Sequence, residues 1–228
     1  MLNGDLFPSS KIAAVMAPGD QAFMKGQRHL RPSPDDVRVI GISEYKEASA
    51  CLVEAFMEDL AIRYCIDTPD MAHLSAERKQ KLYVENMDYV TAAHVYNGLV
   101  TTIGSNYASV AIWYSHLPPF STRNDTYHSS RLPPGKDIEN WCTLFRSGLW
   151  RMYYKLSPEG RKRFFAEFLP LLHDTKRNVL GERDAESYYL VYLGTRPSEQ
   201  RKGYGKALIE HVTRQVWLHH HSSQGARG

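Results

Sequence analysis

The stretch Val37-Arg38-Val39-Ile40-Gly41-Ile42 alternates like a strand, so order is expected from about Asp36. The period then lengthens. Ala48, Cys51, Leu52, Ala55 and Phe56 recur at helical spacing, predicting one helix from a Ser43 cap to about Tyr64. Thr68-Pro69-Asp70 breaks the chain. A second helix is predicted from a Ser75 cap to about Tyr96, with Leu82, Tyr83, Met87, Val90 and His94 on one side and Asn97-Gly98 at its end. Two β-rich runs follow, Leu99 to Ile103 and Ser109 to Tyr114. Gly104-Ser105-Asn106 between them has turn chemistry, so the pair reads as a hairpin.

Leu117 to Lys136 is expected to be loop, since Pro118-Pro119 and Pro133-Pro134-Gly135 exclude regular structure. Residues 138 to 155 (IENWCTLFRSGLWRMYYK) read as helix with aromatics on much of the surface. Ser157-Pro158 is a helix start, with a cap followed by proline in the first turn. That helix should bend or restart at Pro170 and finish at Gly181, with Phe164, Phe165, Phe168, Leu169 and Leu172 on its apolar side. Ser187 to Leu193 is almost wholly apolar or aromatic, the composition of a strand covered on both faces. The last helix is expected from about Tyr204 to Gln215, burying Ala207, Leu208, Ile209 and Val212.

Composition narrows the class. An apolar share of 43% and a charged share of 23% over 228 residues fit a globular domain with a sizeable core. A net charge of +3 without a basic–aromatic module does not argue for nucleic acid. The three cysteines form no CxxC pair, so neither a disulfide framework nor a metal site is expected, and a reducing cytoplasm is the expected home. No apolar run approaches the roughly 18 residues of a membrane span. The 14 tyrosines suit a core with satisfied hydroxyls and, equally in kind, a cleft with polar tips.

The chemistry is concentrated in LGTRPSEQRKGYGKAL, residues 193 to 208. A strand, a short loop and a helix opening on glycines make an anion cradle. The first helical turn leaves N–H groups unpaired, its dipole adds partial positive charge, and glycine lets the backbone approach a phosphate. Arg201, Lys202 and Lys206 add full charges. A Walker loop is excluded, because Gln200 stands where its first glycine belongs and Ala207 where its Ser or Thr belongs. A dinucleotide fingerprint is excluded by Leu208 in place of the third glycine. Taken alone, the segment also reads as a turn with a solvated basic face.

Gln200-Arg201-Lys202-Gly203-Tyr204-Gly205 matches Q/R-x-x-G-x-G/A, with Thr195-Arg196-Pro197 just upstream and an apolar helix directly after. Over about residues 36 to 215 the chain resembles the GNAT superfamily of acyl-CoA N-acyltransferases, in particular fungal members with a helical insertion before the motif strand. The resemblance implies an α/β (α+β) fold, a mixed central sheet flanked by helices. It divides the chain into an extension (1–35), an N-acetyltransferase domain (36–215) with an insertion at 118–185, and a C-terminal tail (216–228) outside the family pattern.

The implied co-substrate is acetyl-CoA, and the implied acceptor is a small-molecule amine shaped by the insertion. Main-chain groups of Leu193, Gly194 and Thr195 would pair with pantetheine. The N–H groups from Arg201 through Lys202, Gly203, Tyr204 and Gly205 to Lys206 would hold the pyrophosphate, with Gln200 shaping the loop. Arg201 departs from the glycine common there, so its side chain either meets a phosphate or crowds the loop. Glu186 is the candidate base, and Tyr189 and Tyr192 are candidates to position water or substrate; each also has a surface or core reading. Glu58 and Asp59 are expected on a solvated helix face, at a place where family members often bind the acceptor.

The family sheet continues past the motif helix, whereas VWLHHHSSQGARG shows no strand period. The sequence therefore predicts a sheet lacking its C-terminal part, with an apolar edge at Ser187–Leu193 open to self-association. The alternative function is a truncated, non-catalytic protein retaining partial CoA binding. His219 to His221 read as a non-native tail rather than a metal site.

Overall fold

The computed structural model describes residues 32–115 and 141–225, without the side chains of 115, 184–186 and 219–225. Contacts divide the chain into Met1–Arg31 and Pro32–Gly228, and every described residue belongs to the second unit. The expectations for residues 1–31 and for the 117–136 loop lie outside the described residues.

Four antiparallel strands run in the order β1 (Arg38–Val39), β2 (Leu99–Ile103), β3 (Ser109–Ser115), β4 (Tyr188–Thr195). The α+β expectation holds, and every described pair is antiparallel. β1 is shorter than its alternation suggested: two residues pair, Arg38 with Thr102 and Val39 with Thr101. β2 and β3 form the expected hairpin. Gly104, Asn106 and Tyr107 turn it with φ of 82°, 50° and 53°.

The first predicted helix divides into α1 (Tyr45–Ala55) and α2 (Leu60–Ile66). Ser43 is not the cap; it lies in a 3-10 turn, Ile42–Glu44, that precedes α1. The break comes at Asp59, whose carboxylate accepts from the amides of Ala61 (2.9 Å) and Ile62 (3.1 Å) and so opens a new helix. α3 (Ala76–Asn97) begins as expected, with the Ser75 hydroxyl accepting from the Arg78 amide. The insertion contributes α4 (Trp141–Ser147), α5 (Trp150–Lys155) and α6 (Pro158–Arg161). A π-turn over Lys162–Phe168 then leads into α7 (Leu169–Leu180). The helix changes character at Pro170 without stopping: Phe168 and Leu169 stay helical, and proline is the second residue of α7, directly after the π-turn.

α1 and α3 cover one face of the sheet. Ala48, Cys51 and Leu52 are completely buried against Val110 and Ile112. A Leu52→Ala cavity there would cost about 2–5 kcal/mol. The other face is covered by α8 (Tyr204–Gly225), through Ala207, Leu208 and Val212. Ile209 is an exception to the predicted stripe, at 40% exposure on the solvent side. The helix also runs ten residues beyond Gln215, to Gly225. No proline interrupts 216–225, and Val216 still packs on the core, so the helical ladder continues where the side-chain pattern suggested a tail.

Candidate active site

β4 is covered on both faces, as its composition predicted, but it is the last strand of the described sheet. Its pairing with β3 slips once: Ile112 faces Tyr192 and Trp113 faces Leu190, so Val191 is the extra residue of a bulge. Packing shows the consequence. Tyr188, Leu190 and Leu193 lie under α8, whereas Val191 and Tyr192, adjacent in sequence, both lie with α1 and α3. Without the bulge, strand alternation would send one of them to the other side.

Near its end β4 presses on α1. A Cβ on Gly194 would stand 2.9 Å from both the Ala55 Cβ and a Leu52 methyl, so only glycine allows this approach. The Gly194 carbonyl accepts from the Ser109 hydroxyl at 2.9 Å. The Arg196 amide donates to the Ala108 carbonyl at 3.0 Å, which sets the phase of the ladder. Antiparallel alternation then turns the main-chain groups of Gly194 toward β3 and those of Leu193 and Thr195 toward the free edge. The Thr195 carbonyl is met there by the Gln200 amide at 3.4 Å, so Gln200 does shape the loop. Arg196 is a clamp, with its guanidinium on Glu54 of α1 and on the Asn106 carbonyl.

The chain makes one 3-10 turn, Pro197–Glu199, before α8 begins. Between them Arg201 and Gly203 take positive φ, 65° and 93°. The first bond of α8 runs from the Ala207 amide to the Gly203 carbonyl at 3.1 Å. Among the described residues, no protein acceptor takes an N–H from Arg201, Lys202, Gly203, Tyr204, Gly205 or Lys206. Six consecutive amides are thus open at a helix start, the arrangement that suits an anion. Lys202 and Lys206 stand beside this run, held on Glu199 (2.8 Å) and Glu210 (3.4 Å). Tyr204 contributes its amide only, since its ring packs in the core beneath Gly104.

Of the candidate catalytic groups, Glu186 ends a 3-10 turn, Gly181–Glu186, two residues before β4, and its side chain is not among those described. Tyr189 pairs across the strands with Tyr114, and Lys176 of α7 lies over both rings. Tyr192 meets the Phe56 ring edge-on at 5.5 Å. Burial, reinforced by the Asp59 carboxylate, pushes its hydroxyl up to about 12. It therefore stays protonated at neutral pH, a neutral hydroxyl that can donate a hydrogen bond rather than act as a base. Glu58 is the solvated face residue expected of it, paired with Arg63. Asp59, assigned to that same face, is instead the α2 cap, close enough to Tyr83 and Tyr192 to bias their hydroxyls.

A small pocket opens beside Tyr192, lined by α2, α3, α5 and the π-turn. Tyr83 and Asn86 enter it from α3. Sequence reasoning placed Tyr83 in the core and passed over Asn86. The signal was present: Asn86 falls on the inward stripe Leu82–Tyr83–Met87–Val90, where a polar side chain needs a reason. Among the described residues no group of three or more His, Cys, Asp or Glu could hold a metal ion.

No protein-family model matches the chain. It is 41% identical over 170 residues to an uncharacterized N-acetyltransferase of Schizosaccharomyces pombe. The match takes in 74% of this chain and 59% of that protein, so the chain spans less than two thirds of its relative's length. No helix among the described residues is long and apolar enough to cross a membrane.

Proposed function

We propose that this chain is an N-acetyltransferase of the GNAT type that takes its acetyl group from acetyl-CoA and passes it to a small amine. The observation that carries this reading is the run of six open amides from Arg201 to Lys206 directly after the motif strand. Those N–H groups take the pyrophosphate, with Lys202 and Lys206 adding charge. The edge-facing Leu193 carbonyl and Thr195 N–H pair with the pantetheine amides as an added strand would. The likeness to a named N-acetyltransferase agrees with the same chemistry.

In the reaction, an amine lone pair attacks the thioester carbonyl, a C–N bond forms and the C–S bond breaks. The edge-facing Leu193 N–H, next to the bulge, stabilises the developing oxyanion; such a donor is worth roughly 3 kcal/mol of barrier. Tyr192, held protonated, hydrogen-bonds to the departing thiolate, which takes its proton from water. Glu186, at the entrance to β4, is the proposed base that takes the proton from nitrogen, and Tyr189 helps position the amine.

Isothermal titration of CoA tests the cradle. Lys202→Glu with Lys206→Glu should weaken binding at least tenfold, about 1.4 kcal/mol, with the circular dichroism unchanged. Equal binding would refute the cradle. Thiol release from acetyl-CoA over an amine panel tests transfer separately: CoA binding without any thiol release leaves the cradle standing and refutes the enzyme.

A further inference from the structure

The pocket beside Tyr192 measures about 40 Å3. By that measure it has room for roughly three water-sized groups, enough for an amino group and the first carbons behind it. Ile62, Ile66, Met87, Phe164 and Phe168 make it mostly apolar. Two polar residues, Tyr83 and Asn86, stand in that wall. Tyr83 and Asn86 are only 8% and 6% exposed, and neither Tyr83 Oη nor Asn86 Oδ1 has a hydrogen-bond partner among the described residues. Buried polar atoms are paired in folded proteins as a rule, and an orphan is costly to keep. Two orphans lining one pocket point to a ligand that supplies the missing partners.

The lining also says what that ligand lacks. No Asp, Glu, Lys or Arg lines the pocket. A carboxylate or a second ammonium on the ligand would be desolvated there without a counter-charge. Burial raises the Tyr83 hydroxyl above its ordinary range, with Tyr192 and Asp59 adding to it, so Tyr83 remains a neutral hydroxyl. Asn86 Oδ1 can only accept, and a hydroxyl oxygen can accept as well. A neutral primary amine has two N–H bonds for two acceptors, and this pairing leaves its lone pair free.

We propose that this pocket selects the acceptor: it seats the amino group of a compact primary amine on an uncharged hydrocarbon frame, with one N–H on Asn86 Oδ1 and the other on Tyr83 Oη. The inference rests on the acetyl-transfer reading for what happens to the amine next, not for its binding.

Isobutylamine, valine and putrescine are the probes. Valine adds a carboxylate to the isobutylamine frame, and putrescine carries a second ammonium. Binding to the whole chain is measured by NMR titration without acyl-CoA. Isobutylamine should bind at least tenfold tighter than either of the others. Asn86→Leu should weaken it at least tenfold and Tyr83→Phe at least threefold. Asn86→Leu should melt no lower than the wild type, because leucine fills a similar volume and removes an orphan acceptor; a lower melting temperature would mark Asn86 as structural and overturn the proposal. Equal affinity for all three probes, no isobutylamine binding, or unchanged binding in both variants would also overturn it. Selective binding with no thiol release from acetyl-CoA would uphold the pocket and refute acetyl transfer. Thiol release with isobutylamine that both variants leave unaltered would do the reverse.

Discussion

Arg201→Gly separates the backbone from the side chain of the proposed cradle. Arg201 sits at φ 65°, a left-handed conformation, with its side chain exposed and no protein partner among the described residues. An L-residue pays roughly 1–2 kcal/mol to stay there. Glycine removes that strain, at roughly 0.5–1 kcal/mol for the extra freedom of the unfolded chain. The net expectation is a gain of about 0.5–1 kcal/mol, or a melting temperature higher by about 1–4 °C for a domain of this size. Urea and thermal unfolding read it directly. The same variant removes one exposed charge from the CoA site. If the amides do the holding, affinity should fall about two- to fivefold at low salt, and the difference should nearly vanish at high salt. A lower melting temperature would refute the strain argument. A tenfold loss persisting at high salt would show that the guanidinium, not the main chain, carries the phosphates.

Two further outcomes test the fold beneath the site. His94 is buried with its Nδ1–H on the Val90 carbonyl at 2.8 Å, and burial pulls its pKa from 6.5 to about 4. The unfolded chain takes up that proton first, so stability should fall as pH drops from about 6.5 toward 4. Between pH 7 and pH 5 the loss from this group is about 2 kcal/mol; urea denaturation should show it, and no smaller slope in His94→Gln would contradict it. Gly194→Ala should cost about 1–3 kcal/mol in the same assay, because the new methyl would stand 2.9 Å from Ala55 and Leu52; a neutral effect would mean that α1 moves aside freely.

What could be read from the sequence was local. The Ser75 cap, the hairpin turn and Ser157-Pro158 each depend on a few neighbouring residues, and each stands where those residues put it. The open amides were legible for the same reason, since glycines and a helix start are near each other in the chain. The division between α1 and α2 was missed because the apolar period runs through it; the deciding event is the Asp59 carboxylate capping Ala61 and Ile62. Ile209 shares its helix with buried neighbours, yet it is 40% exposed while Ala207, Leu208 and Val212 carry the buried stripe. The pocket could not be read locally at all, because its lining comes from α2, α3, α5, the π-turn and β4.

The bulge at Val191 joins the legible half of the site to the illegible half. In a regular strand, alternation from Leu193 and Tyr188, both under α8, leaves an odd count between them and no place for two successive residues facing α1 and α3. One extra residue resolves the count. Tyr192 then lies in the pocket with Tyr83 and Asn86, while Leu193, the next residue, keeps its main-chain groups on the free edge. A hydroxyl at the acceptor pocket and an N–H at the proposed thioester track are therefore one peptide apart. Deleting Val191 removes only the extra residue: Leu190 stays opposite Trp113, Tyr192 stays opposite Ile112, and Tyr192 and Leu193 keep their faces, so amine and CoA binding should both survive. If a Val191 deletion that folds lost either amine or CoA binding, the strand register would not be what sets the two half-sites one peptide apart, and the case for a single acyl-transfer centre built on β4 would fail.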